Sequence, residues 1–265
     1  QNFLLHFYNE GDWGRALENL SITNVLYPKD NHEKGKWLRL KQEYFLVSAT
    51  VQDILRRFKL TKKPLDELHE NVTVHINDTH PALAVAELQL LLTEQEGVDW
   101  NRAWEITRRT CAYTNHTILA EALEKWDIRM FRTLLPRQYR VVEKVNQMYC
   151  DSIRRRHPND EPRVRRMSII QDGLVHMARL AIAGSYSVNG VAALHTSILR
   201  ERELKDFSDF WPEKFRNITN GVTPRRWLLK CNPELSNFIT ERIGDSWISD
   251  FRQIKKLADF AEDKD

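Results

Sequence analysis

The chain has 265 residues, 42% hydrophobic and 29% charged, an ordinary soluble globular composition with enough length for one large core plus the start of a second. Its net charge of +3, from 40 basic and 37 acidic side chains, gives no overall argument for a nucleic-acid or membrane partner, and no apolar run approaches the length of a membrane span. The three cysteines, Cys111, Cys150 and Cys231, form no CxxC or Cys-His cluster. Neither a zinc site nor any other metal site is expected, and neither is a disulfide framework, which fits a reducing, cytoplasmic compartment.

The chain opens on Gln1-Asn2-Phe3 without a Met or a targeting pattern, and a helical pattern is still running at Ala261-Glu262-Asp263, so both ends read as cuts within a longer protein. Pro28-Lys29-Asp30-Asn31, followed by Gly35, reads as a loop. Trp37, Leu40, Tyr44, Val47, Val51, Leu55 and Phe58 then recur every three or four residues and predict one helix face. Val72, Val74 and Ile76 alternate with Thr73 and His75 as a strand does. Pro81 is placed to start a helix carrying Leu83, Leu88, Leu91 and Leu92, and Asp99 to cap the next. Cys111-Ala112-Tyr113 is a short apolar piece, and helices are expected over 127–135 and 137–156. Met167-Ser168-Ile169-Ile170 reads as a strand, the small residues of 181–190 as close backbone packing, and 215–219 as a further strand. Asn220-Gly221 turns the chain, Pro224 opens a helix, and helices follow over 233–243 and 250–261. Strands alternating with helices predict an α/β fold: a largely parallel sheet flanked by helices, with high helix content.

Three segments share one design: a strand ends, polar residues follow, and a helix comes next. They are Asn77-Asp78-Thr79-His80, Thr114-Asn115-His116-Thr117 and Thr219-Asn220-Gly221. Ligands in open α/β sheets bind beyond the carboxyl ends of strands, and neutral donors and acceptors of this kind suit a polyhydroxyl ligand. Asp78, His116 and Asn220 are therefore expected on one edge, facing a common cleft. The same residue types also cap helices and make turns, so each segment alone reads more readily as structure, and it is the coincidence of three that argues for a site. GxGxxG, GxxxxGK[ST] and GxSxG patterns are missing, and no lysine stands in a context that singles it out for a Schiff base. Two arginine clusters, Arg154-Arg155-Arg156 and Arg163 with Arg165-Arg166, read as solvated helix ends, with a polyanion site as the alternative.

At these segments the sequence resembles the α-glucan (glycogen, maltodextrin or starch) phosphorylase family. The resemblance rests on Asn77-Asp78-Thr79-His80-Pro81, on Tyr113-Thr114-Asn115-His116-Thr117, and on Thr219-Asn220-Gly221-Val222-Thr223-Pro224-Arg225-Arg226-Trp227. Val25-Leu26-Tyr27-Pro28, Leu38-Arg39-Leu40-Lys41-Gln42-Glu43-Tyr44-Phe45 and Ser187-Val188-Asn189-Gly190-Val191 extend it over nearly the whole chain, in order. It implies part of a two-domain, GT-B-type architecture: residues 1–218 the later part of an amino-terminal α/β domain, 219–265 the start of a carboxy-terminal one. It implies an enzyme that cleaves the terminal α-1,4 bond of a glucan with inorganic phosphate and releases glucose 1-phosphate, using pyridoxal phosphate, in a cleft between domains. His116 and Asn220 match contacts to the sugar hydroxyls, Asp78 and His80 line the pocket beside the anomeric carbon, Val191 matches a wall residue, and Trp227 one near the cofactor. Residues 28–39 match a gate loop, with Asp30, Asn31 and Arg39 among its functional positions; Asp30 stands where the family has an acid that fills the phosphate site. His32 and Glu33 depart from the aromatic pair of the animal enzymes. Residues 9–26 match the helix that projects to the partner subunit of a homodimer. The resemblance places the cofactor lysine and the phosphate-holding basic residues beyond Asp265, so this chain alone is expected to be inactive. The alternative is a carbohydrate-binding or scaffold protein that shares the half-site without chemistry.

Overall fold

Among the described residues seven short strands, all in the larger part of the chain, set the frame for the site. They are β1 (Val74–Asn77), β2 (Cys111–Asn115), β3 (Lys125–Asp127), β4 (Ile170–Gln171), β5 (Leu174–His176), β6 (Val188–Gly190) and β7 (Phe215–Asn217). The computed structural model describes residues 9–25 and 27–263; Gln1-Asn2-Phe3 at the chain start and Leu26 of the Val25–Pro28 motif lie outside them. The chain divides into two units, Gln1–Ile218 and Thr219–Asp265.

In the first unit β1, β2, β6 and β7 form one sheet in the order β1-β2-β6-β7, every pair parallel. The register pairs Asn77 with Thr114, Asn115 with Gly190, and Gly190 with Asn217, so the four carboxyl ends share one edge. Parallel strands need crossovers, and helices supply them, as the alternation of patterns predicts. The helix Leu83–Leu90 is buried along its whole length, which is why LAVAELQL is apolar nearly all round. Its two polar residues are satisfied. Glu87 accepts from Ser48 Oγ (2.6 Å) and Gln138 Nε2 (2.7 Å), while Gln89 donates to Trp100 O (3.1 Å) and accepts from Thr107 Oγ1 (3.2 Å). Unpaired, such groups would cost several kcal/mol, on the order of 2–7 each.

The long helix Glu33–Leu60 buries Leu40, Val47, Val51, Leu55 and Phe58, the stripe that its spacing predicts. It begins earlier than the apolar period does. His32 caps it by accepting from the Gly35 N–H at 3.0 Å, so Gly35 lies in the first turn and not in the loop. A Cβ on Gly35 would stand 1.8 Å from the Lys29 carbonyl oxygen; only glycine lets the loop pass this close. Asp99 caps Trp100–Thr110 by accepting from Asn101 N (2.9 Å) and Arg102 N (3.2 Å), as expected. Helices Ile128–Leu134 and Pro136–Arg156 fall where predicted. Pro81 sits in a turn that leads into the helix at Leu83 and does not itself open it. The small residues of 181–190 do pack closely: a Cβ on Gly184 would meet Val85 Cγ1 at 2.3 Å.

The strand expected at 167–170 is a correction. Met167 closes a helix, Glu161–Met167, and only Ile170 and Gln171 enter a strand. That strand belongs to a second, antiparallel sheet in the order β3-β5-β4. The two residues between β4 and β5, Asp172 (φ 51°) and Gly173 (φ 76°), both take the left-handed conformation that a tight hairpin requires. β7 likewise stops at Asn217, short of Thr219.

The second unit holds a helical turn Arg225–Lys230, the helix Pro233–Ile243 and a 3₁₀ stretch Phe251–Phe260. Its described buried side chains are Ser236, Ile239 and Trp247, whose Nε1 donates to Thr240 Oγ1 at 3.2 Å.

Candidate functional site at the carboxyl edge of the parallel sheet

Beyond β1 the chain turns sharply. Asp78 has φ 63°, a left-handed conformation that Asp tolerates better than most residues. Its N–H donates to Thr114 O (2.9 Å), which extends the β1–β2 ladder by one bond, and its Oδ1 accepts from Thr79 N (2.6 Å). Thr79 is buried beneath the turn, Asp78 is half-buried, and His80 is exposed. A non-glycine residue held at positive φ stores on the order of 1 kcal/mol of strain, and such strain gathers at functional turns.

His116 follows β2 and is exposed. Its Nε2 meets Asn77 Oδ1 at 2.5 Å, so Nε2 carries the hydrogen and Nδ1 is left as the acceptor in the neutral ring. This bond ties the ends of β1 and β2 together. Thr114 and Asn115 of the same segment belong to the strand and are buried; Asn115 donates to the Tyr113 hydroxyl at 3.0 Å. Of that polar segment, His116 is therefore the side chain placed to meet a ligand. Val191 follows β6, half-buried, and its N–H donates to His195 Nδ1 at 3.1 Å. Burial pushes the His195 imidazole below its ordinary value, and the neighbouring His116 adds to that. His195 was not legible from the sequence as a site residue; its position four residues after Val191, on the next helix, is the only signal.

The structure thus brings Asp78, His80, His116 and Val191 to one edge of the first unit. Asn220 and Trp227 lie in the second unit, both exposed, Trp227 at 64%. Of the gate positions, Asp30 and Asn31 are exposed in the segment before the long helix. Arg39 is not in a loop. It lies on the helix Glu33–Leu60, because the His32 cap starts the helix two turns before it.

Arg39 leads to a cluster that the sequence did not announce. Its Nε contacts Glu43 Oε1 at 3.0 Å, its Nη2 contacts His80 Nδ1 at 3.0 Å, and its guanidinium lies 5.1 Å from the Tyr27 ring centroid. Glu124, just before β3, approaches His80 Nδ1 at 3.7 Å. Burial, and then the facing Glu124 carboxylate, hold the Glu43 carboxyl well above the usual carboxylate range. The Glu124 hydrogen bond raises His80. A cavity of about 350 Å³ opens beside Arg39, Glu43 and His80, with Tyr27, Phe45 and Leu46 on its apolar side. The strand-end residues Asp78 and His116 do not line it.

The arginine clusters are engaged locally. Arg154 contacts Glu161 (2.7 Å) and Asp151 (3.1 Å), Arg163 contacts Asp160 (3.2 Å), Arg165 contacts Asp172 (3.3 Å), and Arg166 contacts Asp206 (2.7 Å). Among the described residues no helix is long and apolar enough to cross a membrane.

A helix-rich α/β unit with a parallel sheet and polar strand ends gathered on one edge is an arrangement that open α/β proteins use to bind ligands. The chain belongs to the carbohydrate phosphorylase family, whose family model matches residues 1–265; that family has the GT-B type of fold. It is 49% identical over 278 residues to the brain form of glycogen phosphorylase from Bos taurus, and 48% identical over 258 residues to the glycogen phosphorylase of Bacillus subtilis (strain 168). Those alignments cover 99% and 97% of this chain but 33% and 32% of the relatives, so the chain spans about a third of their length.

Pyridoxal phosphate, the cofactor that the resemblance implies, would need a lysine at the site. The segments after β1, β2 and β6 contain none. The buried lysine of the first unit, Lys214, precedes β7 and so stands at the opposite edge. It donates to Ile182 O (3.0 Å), lies 3.8 Å from the Trp211 ring centroid, and burial lowers it to about 7. These residues do not fit a covalently held cofactor, and no chemical step is derived through one.

Proposed function

We propose that this chain is part of an α-1,4-glucan phosphorylase, a glycosyltransferase of glycogen or maltodextrin degradation that releases glucose 1-phosphate with inorganic phosphate. Residues 1–218 are read as the later part of its amino-terminal domain and 219–265 as the start of the carboxy-terminal one. The observation that carries the reading is the shared edge of the parallel sheet, where Asp78, His80, His116 and Val191 follow three adjacent strands. His116 offers Nδ1 to a hydroxyl donor while Asn77 holds its other nitrogen. Asp78 offers a carboxylate oxygen on the same edge, and Val191 an apolar wall. This mixture of neutral acceptors, one acid and one wall suits a sugar ring better than a charged ligand. Asn220 is read as a further sugar contact, Trp227 as a residue near the family's pyridoxal phosphate, and Asp30, Asn31 and Arg39 as gate residues. The helix Trp13–Asn24 exposes Trp13, Leu17 and Leu20 and is read as a subunit contact in a homodimer. The compartment is read as cytoplasmic.

Two measurements test this. The isolated chain, mixed with glucan, phosphate and added pyridoxal phosphate, is expected to release no glucose 1-phosphate, because the cofactor must be placed against the substrate by residues that this chain lacks. Turnover by pure protein would contradict it. In the longer enzyme, Asn220→Asp is expected to lower kcat/KM roughly tenfold to a hundredfold with the melting temperature kept, since an ionised Asp can only accept where the amide can also donate. A lower melting temperature with unchanged efficiency would assign Asn220 to the scaffold.

A further inference from the structure

Glu43 is only 6% exposed, and its Oε2 has no partner; nor has the buried Oε2 of Glu124. The two carboxyl groups nevertheless lie close together, and the neighbouring Glu124 adds to the burial that raises Glu43. A carboxylate can only accept, so two facing carboxylates need either a hydrogen or a cation between them. One oxygen each from Glu43 and Glu124 and one His80 nitrogen lie within 4.8 Å of one another. The charge that a cation would bring is already present. Arg39 donates to Glu43 Oε1 and reaches His80 Nδ1, both at 3.0 Å, and a metal ion would have to sit against its guanidinium. The remaining solution is a proton.

We propose that Glu43 and Glu124 share a single proton, and that the pair so held, braced by Arg39, positions His80 at the carboxyl edge of the parallel sheet. The arrangement joins three separate pieces of chain: the long helix (Arg39, Glu43), the turn after β1 (His80, with Asp78 acting on it), and the segment before β3 (Glu124). Burial raises the Tyr113 hydroxyl of β2, the Asn115 bond opposes that, and Asp78 and Glu124 add smaller upward pushes. The protonated pair leaves one negative charge beside His80; the Glu124 hydrogen bond raises the imidazole, while Arg39, whose Nη2 donates to Nδ1, opposes that rise. Glu43 and Glu124 act here as positioning residues. The inference does not depend on a sugar binding at the site.

The sign of the pH dependence follows. Folding takes up a proton at this pair, so its contribution to stability is fully present below the ordinary carboxylate value near 4.5 and is lost as pH rises through the raised value of Glu43. Glu43→Gln keeps the shape and the hydrogen but removes the titration. In the 265-residue chain, melting temperatures of wild type and E43Q are compared from pH 6.5 to 9.5. The wild type is expected to fall relative to E43Q by roughly 3–5 °C per pH unit. Carbon-13 histidine NMR, with His80 assigned through His80→Gln, is expected to place its titration above that of an ordinary imidazole in the wild type and lower in Glu124→Gln. Parallel pH slopes in wild type and E43Q overturn the proposal, as does an E43Q protein less stable throughout with the slope unchanged. Zinc or manganese that raises the wild-type melting temperature but not that of E43Q puts a cation there and equally overturns it. Should neither glutamine variant fold, a wild-type His80 titrating at or below the ordinary imidazole value rejects the proposal on its own.

Discussion

The two units of the chain solve the burial problem differently. The first surrounds Leu83–Leu90 so completely that even its glutamate and glutamine are enclosed and paired. The second buries Ile239 and Trp247 but leaves Val222 (71%), Trp227 (64%) and Phe238 (49%) in solvent. A unit of this length closes few apolar contacts by itself, and those side chains are the ones a larger core would cover. Sequence length and hydrophobic content hide this difference; the distribution of buried side chains shows it.

The largest expected effect separates the units directly. Phe131, fully buried and packed edge-on against Tyr139 at 6.3 Å, lies in the first unit. Phe131→Ala is expected to cost about 3–5 kcal/mol by denaturant unfolding. Ile239→Ala in the second unit should cost less than about 2 kcal/mol, because the site has fewer buried neighbours and can relax. Equal losses would break the comparison. A smaller effect sharpens it at the edge of the long helix. Gly35→Ala must push the Lys29 carbonyl away and is expected to cost about 1–3 kcal/mol, with faster hydrogen exchange at 29–36 but not within Leu83–Leu90. Smaller still, Asp99→Ala removes a helix cap and should cost about 1 kcal/mol, with Asp99→Asn restoring most of it.

Much of the first unit was legible because its signals are local. The stripe from Trp37 to Phe58, the Asp99 cap and the alternation before Asn77 each lie within one element. What escaped had other causes. The helix Glu161–Met167 carries three arginines in seven residues, so its short apolar face, Val164 and Met167, shows no period. The antiparallel sheet has strands of two and three residues, too short for alternation, although Asp172-Gly173 marked its turn. At the site, the positions after β1 and β2 could be read from strand ends alone, since parallel pairing puts them on one edge, whereas Val191 after β6 came only with the family resemblance. Glu43 and Glu124 could not. They are 81 residues apart, on a helix and a loop, and only tertiary packing makes two ordinary surface-type residues into a buried pair. Arg39 was assigned to a loop because the capping role of His32 has no apolar signature.

The most direct test of the edge as a sugar site is His116→Ala in the full-length enzyme, assayed for kcat/KM with maltoheptaose and phosphate and for melting temperature on one preparation. His116 is exposed, and its Nε2 bonds Asn77 Oδ1, so its loss should cost little stability. A fall in kcat/KM of roughly tenfold to a hundredfold, with the melting temperature within about 2 °C of wild type, is the expected result. Unchanged kcat/KM in a folded variant would contradict it and leave the polar strand ends as turns and caps.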